Sequence, residues 1–160
     1  MLGTHSSFSV AVVASEASPR TKPSNYPEPF ASMMNGRIKR PLADLFGLQN
    51  FGVNHVTLSP GAISALFHRH SLQDECIFIL SGELTLIHDE GETVLGAGMF
   101  VGFPKNGSAH QLINRSENHA TYLEIGDRHT GDSVTYPRDD LVAVRAENSW
   151  TFTHKNGAPY

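Results

Sequence analysis

The chain has 160 residues, 39% hydrophobic and 18% charged, with a formal net charge of −4. That length holds one domain with a substantial core but not comfortably two, and the acidic balance argues against a general nucleic-acid or anionic-membrane surface. Frequent Gly and Pro suit a turn-rich β protein, and the single cysteine, Cys76, excludes an internal disulfide and any need for an oxidising compartment.

From the N-terminus, SFSVAVVASEAS (7–18) has an apolar centre but no preceding basic residue, and Glu16 follows closely, so it is not read as a secretory signal. No window reaches the length of a membrane span, and a cytoplasmic location is expected. Prolines 19, 23, 27 and 29 make residues 1–30 an extended arm, in which Val10 to Val13 could add an edge strand. Residues 31–160 are expected to form a single domain. Its first element is one short helix over Pro41 to Phe46, with Pro at a tolerated first-turn position and Gly47 as a stop.

From Phe51 the texture changes to short β-branched and aromatic segments: FGVNHVTL, GAISALFHRH, CIFILSG, ELTLIHD, TVLGAG, MFVGF, AHQLIN and ATYLEIG. Turn-forming SPG, SGE, DEGE, PKNG and NRSENH separate them. This spacing predicts an all-β sandwich or barrel with its core over about 51–126. GDRHTGDSVTYPRDD (126–140) reads as irregular, and LVAVRA and SWTFTHKNG read as extra C-terminal strands wrapping the barrel. An arm and uncovered sheet edges also predict a homodimer.

Alternate residues of a strand share a face, so His68 and His70 point the same way, and Glu75, at the start of the next apolar strand, can fold back beside them. His110 occupies a matching position after the turn PKNGSA. Three imidazoles and a carboxylate suit Zn, Mn, Fe, Ni or Cu. The plainer reading makes the histidines surface residues of an edge strand and Glu75 a solubilising charge. Ordinary imidazole pKa values near 6.5 would put proton competition for such a metal in mild acid.

The turn residues carry a resemblance. Gly61, six residues, His68-Arg69-His70, four residues, Glu75, six residues, Gly82 resembles the first cupin motif. Gly98, five residues, Pro104, Gly107, His110, three residues, Asn114 resembles the second, fifteen residues on. The departures, one extra residue before His68 and one between Pro104 and Gly107, fall in turns. The resemblance implies a jelly-roll (double-stranded β-helix) barrel, commonly paired, with one divalent transition metal on His68, His70, Glu75 and His110. YPEPF, GRIKRPLADLFGLQNFGVN, LEIGDR, GDSVTYPRDDL and HKNGAPY further resemble single-domain bacterial cupins described as candidate sugar-phosphate (mannose-6-phosphate-like) isomerases.

Such a centre suits a small molecule with adjacent oxygens, and the leading expectation is aldose–ketose isomerisation of a sugar phosphate through an enediolate. The alternatives are an iron-dependent dioxygenase and a non-catalytic sugar-binding cupin. An isomerase of phosphorylated sugars needs cations at the rim, and Arg69, Lys105, Arg115 and Arg128 stand in or beside turns. His55 reads as an ordinary strand residue, and His88 and His119 as exposed. Tyr122 and Glu124 share a face that looks either to the pocket or away from it, while Cys76 faces away from the ligands. The catalytic base is not identifiable from the sequence.

Overall fold

Alternation along one strand positions the site. In β4 (Glu75–Ser81) Ile77 and Ile79 are buried while Phe78 and Leu80 stay on the exposed face, so Glu75 turns inward with the isoleucines. The computed structural model describes residues 10–147 and 149–160. Its other strands are β1 (Arg37–Pro41), β2 (Phe51–Leu58), β3 (Arg69–His70), β5 (Glu83–His88), β6 (Gly91–Gly96) and β7 (Phe100–Phe103). They continue with β8 (His110–Ile113), β9 (Ala120–Asp127), β10 (Ser133–Thr135), β11 (Val142–Arg145) and β12 (Trp150–Thr153).

A five-stranded antiparallel sheet, β1-β2-β9-β4-β7, forms one layer. The other is built from β12-β11-β10-β3 and β6-β5-β8, which bridges at His68–His110 and Ile63–Ile113 join. The all-β jelly roll is therefore as expected. Its main core packs Val56, Leu58, Ile77, Ile79 and Tyr122 of the first layer on Leu84, Leu86, Leu95 and Leu112 of the second. Each such aliphatic side chain taken out of water contributes about 1.5–3 kcal/mol. A second cluster, Met34, Leu66, Val134, Tyr136, Leu141 and Ala143, closes the barrel beneath β10 and β11.

Several local expectations are corrected. The helix is a single turn, α1 (Leu42–Leu45), and the residues before it form β1, paired along its whole length with β2. GAISALFHRH is mostly irregular, with only Arg69–His70 as strand. Conversely, the stretch after Gly126 contains β10, which pairs with both β3 and β11. Residues 10–13 form no strand, and Val10, Val12 and Val13 are exposed; the start of the arm, 1–9, lies outside the described residues. A 3-10 turn at Ala14–Glu16 follows, and Arg20 N–H donates to the Lys39 carbonyl, tying the arm to β1. No helix among the described residues is long and apolar enough to cross a membrane.

The motif glycines and asparagine serve turns. Gly82 links β4 to β5 at φ +76°, and a Cβ there would lie 2.8 Å from the Ala120 Cα and the His119 carbonyl oxygen. Gly61 has a similar φ of +79° with open space around it. Gly82→Ala is therefore expected to cost about 2–4 kcal/mol and Gly61→Ala only about 1 kcal/mol in urea unfolding. Asn114, fully buried, donates to the Leu58 and Asn118 carbonyls and accepts from Ser116, pinning the turn after β8.

Candidate metal centre

The strand pairings bring His68, His70, Glu75 and His110 together at the floor of one pocket of about 270 Å³. His68 and His110 face each other across their bridge, with reciprocal backbone hydrogen bonds of 3.1 and 2.8 Å. Glu75 Oε2 sits 3.8 Å from His68 Nε2, 3.5 Å from His70 Nε2 and 3.7 Å from His110 Nε2. Those separations are too long for good hydrogen bonds. Ligand atoms of His68, His70 and Glu75 all lie within 4.8 Å of one another, close enough to ligate one ion, and His110 Nε2 faces the same Glu75 oxygen.

The far side of each ring decides which nitrogen is free. His68 Nδ1 lies 2.8 Å from the Leu66 carbonyl, a contact in which it donates, leaving the Nε2 lone pair toward Glu75. His70 Nδ1 donates to Asp132 Oδ2 at 2.6 Å. The His110 ring lies flat on Phe103, centroids 3.5 Å apart, and its Nδ1 is 3.4 Å from the Ser108 carbonyl. His110 Nε2 is buried without a hydrogen-bond partner. A buried nitrogen left unpaired is costly unless something occupies the space before it. The donor set, the anchored Nδ1 atoms and this orphaned Nε2 fit a divalent transition metal.

Asp132 was not expected. It has no solvent exposure, and besides His70 it accepts from the Leu72 and Gln73 backbone N–H groups and from Ser71 Oγ. Burial raises its pKa, but these donors outweigh that and the carboxyl is held below its ordinary range. Burial likewise opposes the charge on Glu75, yet the three imidazoles gathered around it, His110, His68 and His70, hold it well below the usual value. Burial pushes His68 down. For His70 burial acts the same way, but Asp132 and Glu75 overcome it and raise the imidazole to about 9. Proton competition at His70 thus begins above neutrality, not in the mild acid that an ordinary imidazole implies.

The remaining residues divide cleanly. Glu124 lines the pocket, held by Lys39 Nζ at 2.7 Å and Asn54 Nδ2 at 3.0 Å, whereas Tyr122 is fully buried in the core. His55 is buried without lining the pocket; His119 is exposed, and His88, half-buried, contacts Thr93. Burial pushes the Cys76 thiol up, away from nucleophilic use. Of the four expected rim cations only Arg128 lines the pocket. Arg69 pairs with Asp89 and Arg115 with Glu92 on exposed surface, and Lys105 lies outside the pocket. The pocket's other cations are Arg20, Arg37, Lys39 and Arg145. They come from the arm, from β1 and from the end of β11, and no turn signal marks them.

The Cupin domain family model matches residues 54–126, which contain all four clustered side chains. A sugar phosphate isomerase of the cupin superfamily from Silicibacter pomeroyi is 34% identical, with a TM-score of 0.87 over 94% of this chain and 96% of its own. A candidate sugar phosphate isomerase from Acidithiobacillus ferrooxidans is 29% identical, with a TM-score of 0.71 over 78% of this chain and 80% of its own. The polyketide cyclase RemF from Streptomyces resistomycificus shares the fold at 20% identity, with a TM-score of 0.59 over 73% of this chain and 78% of its own. No curated protein matches the chain. The chain belongs to the cupin superfamily.

Proposed function

We propose that this protein is a metal-dependent isomerase of phosphorylated hydroxy-carbonyl sugars, with His68, His70, Glu75 and His110 holding one divalent transition metal. The observation that carries the reading is the convergence of three imidazole Nε2 atoms on one buried carboxylate oxygen at the pocket floor. Similarity to sugar phosphate isomerases over nearly the whole chain supports the substrate class. When bound, the ion supplies polarisation of a substrate carbonyl and stabilisation of the negative charge that develops as the neighbouring carbon loses its proton.

The chain's own residues supply the rest. Leu66, Asp132 and Ser108 fix the rings, so the site needs little reorganisation. Glu124 is the proposed proton acceptor. Gly126 pairs with Glu75, which makes Glu124 the diagonal neighbour of Glu75 on the adjacent strand, about 7–8 Å away, on the same pocket wall. Lys39 and Asn54 orient its Oε1, and the second oxygen is the one proposed to face the proton. A second copy of the chain is the proposed cover for exposed Phe78, Leu80, Met99 and Phe100, on and beside edge strand β7.

The test is aldose–ketose interconversion of a panel of sugar phosphates, followed by NMR with and without oxygen. Metal-dependent, oxygen-independent turnover that Glu124→Gln lowers at least about a hundredfold is expected. Turnover that consumes oxygen would overturn the isomerase reading.

A further inference from the structure

The pocket has an outer half that the metal cluster does not use. Arg20, Lys39, Asn54, Arg128, Arg145 and Trp150 line both this cavity and a second one beside it, so the two adjoin along these side chains. Three of the cations lining the two cavities are committed. Arg37 donates to the Ser64 and Pro23 carbonyls, Lys39 pairs with Glu124, and Arg128 pairs with Asp44 and donates to the Leu48 carbonyl.

Two guanidinium groups and the Lys22 ammonium remain, and only the guanidinium groups also line the inner cavity. Arg20 has one side-chain partner, the neutral Asn25 amide oxygen at 2.7 Å. Arg145 lies 5.6 Å from the centre of the Trp150 ring, and its Nε is buried without a hydrogen-bond partner. Among the described residues neither is within ion-pair distance of a carboxylate. Trp150 in turn lies 6.4 Å from the His70 ring. Arg145, Trp150 and His70 thus run from the mouth to the floor.

Resting on the isomerase reading of the same pocket, we propose that Arg20 and Arg145 clamp the phosphate of a phosphomonoester at the mouth while its carbonyl end reaches the histidine cluster. A phosphomonoester carries nearly two negative charges and three acceptor oxygens, enough to take forked contacts from two guanidinium groups, whereas one carboxylate is saturated by one fork. Arg20 is depressed first by burial and then by the charge of Arg37, and Lys39 by burial together with the charges of Arg37 and Arg20. An anion at this point relieves that crowding. The arm thereby becomes part of the binding site, held there by the Arg20 N–H to Lys39 carbonyl bond.

Calorimetry on the full-length protein tests this with mannose 6-phosphate, mannose, inorganic phosphate and mannonate as probes. Mannose 6-phosphate should bind at least about tenfold tighter than mannose or mannonate, and inorganic phosphate should compete with it. Arg20→Gln and Arg145→Gln should each weaken the sugar phosphate about tenfold or more, and the double variant should abolish its advantage over mannose. Metal content should not change, and Arg115→Gln, on the outer ion pair with Glu92, should bind like the parent. If Arg145→Gln loses its thermal transition, Arg145→Lys is read instead, with a loss of several-fold expected because the fork is gone. Parental affinity in the double variant, or in Arg145→Lys where it is used, or preference for mannonate overturns the clamp. Phosphate-dependent binding without isomerisation of any sugar phosphate leaves the clamp standing and removes the isomerase reading. Isomerisation with KM unchanged in the double variant does the reverse.

Discussion

Asp132→Asn is expected to weaken metal binding by roughly 10–100-fold and to destabilise the fold by about 2–4 kcal/mol, although Asp132 touches no metal in the proposed site. Its two carboxylate oxygens face donors only: His70 Nδ1 at 2.6 Å on one side, and Leu72 N–H at 2.8 Å, Gln73 N–H and Ser71 Oγ at 3.3 Å on the other. An amide must turn its NH2 toward one of these sets. Turned toward the backbone, it buries donor against donor. Turned toward His70, it drives the ring proton to Nε2 and removes the lone pair needed at the centre. Asp89→Asn, on the exposed ion pair with Arg69, should leave metal affinity unchanged. Competition with a chromophoric chelator measures the first effect and urea unfolding the second. Parental affinity in Asp132→Asn would show that the His70 tautomer does not need this carboxylate.

Metal affinity is expected to rise about tenfold per pH unit between pH 7 and 9 and then to level off. Burial opposes the charge on His70, but Asp132 and Glu75 raise it to about 9, so at neutral pH the metal-free protein holds a proton where the ion binds. Burial keeps His68 neutral and ready to ligate. Uptake at pH 7.5 should therefore release about one proton, read with an indicator dye in weak buffer. The stability of the metal-free protein runs the other way. Because the folded pKa of His70 lies above its unfolded value of about 6.5, its contribution is fully present below that value and lost as pH rises through about 9. The depressed Glu75 and Asp132 contribute above the ordinary carboxylate range and lose that contribution in acid. Flat affinity from pH 7 to 9 would contradict the proton on His70.

What was legible in the sequence followed from local rules. His68 and His70 share a face because strands alternate, and Glu75 and His110 meet them because short turns precede β4 and β8. What was hidden depended on distant pairing. Asp132 reaches His70 across 62 positions, from a stretch without alternation, and β10 exists because β3 and β11 flank it. Arg-Ile-Lys-Arg-Pro has the polarity of a surface segment, yet pairing with β2 makes it β1, with Arg37 and Lys39 turned toward the pocket. Turn position favoured Arg69 and Arg115 as anchors, but both meet acidic partners on the outer surface. The arm's prolines exclude a helix without revealing that Arg20 lies against β1.

In the proposed site His68, His70, Glu75 and His110 bind one metal ion. Metal analysis of the protein purified without added metal, beside its single variants, decides whether they do. About one ion per chain is expected in the parent, most of it lost in His68→Ala, His70→Ala and His110→Ala. Glu75→Gln should lose less, and His88→Ala and His119→Ala none, with the barrel's circular dichroism retained throughout. Full occupancy in all three of His68→Ala, His70→Ala and His110→Ala would place the ion elsewhere and rule out this centre.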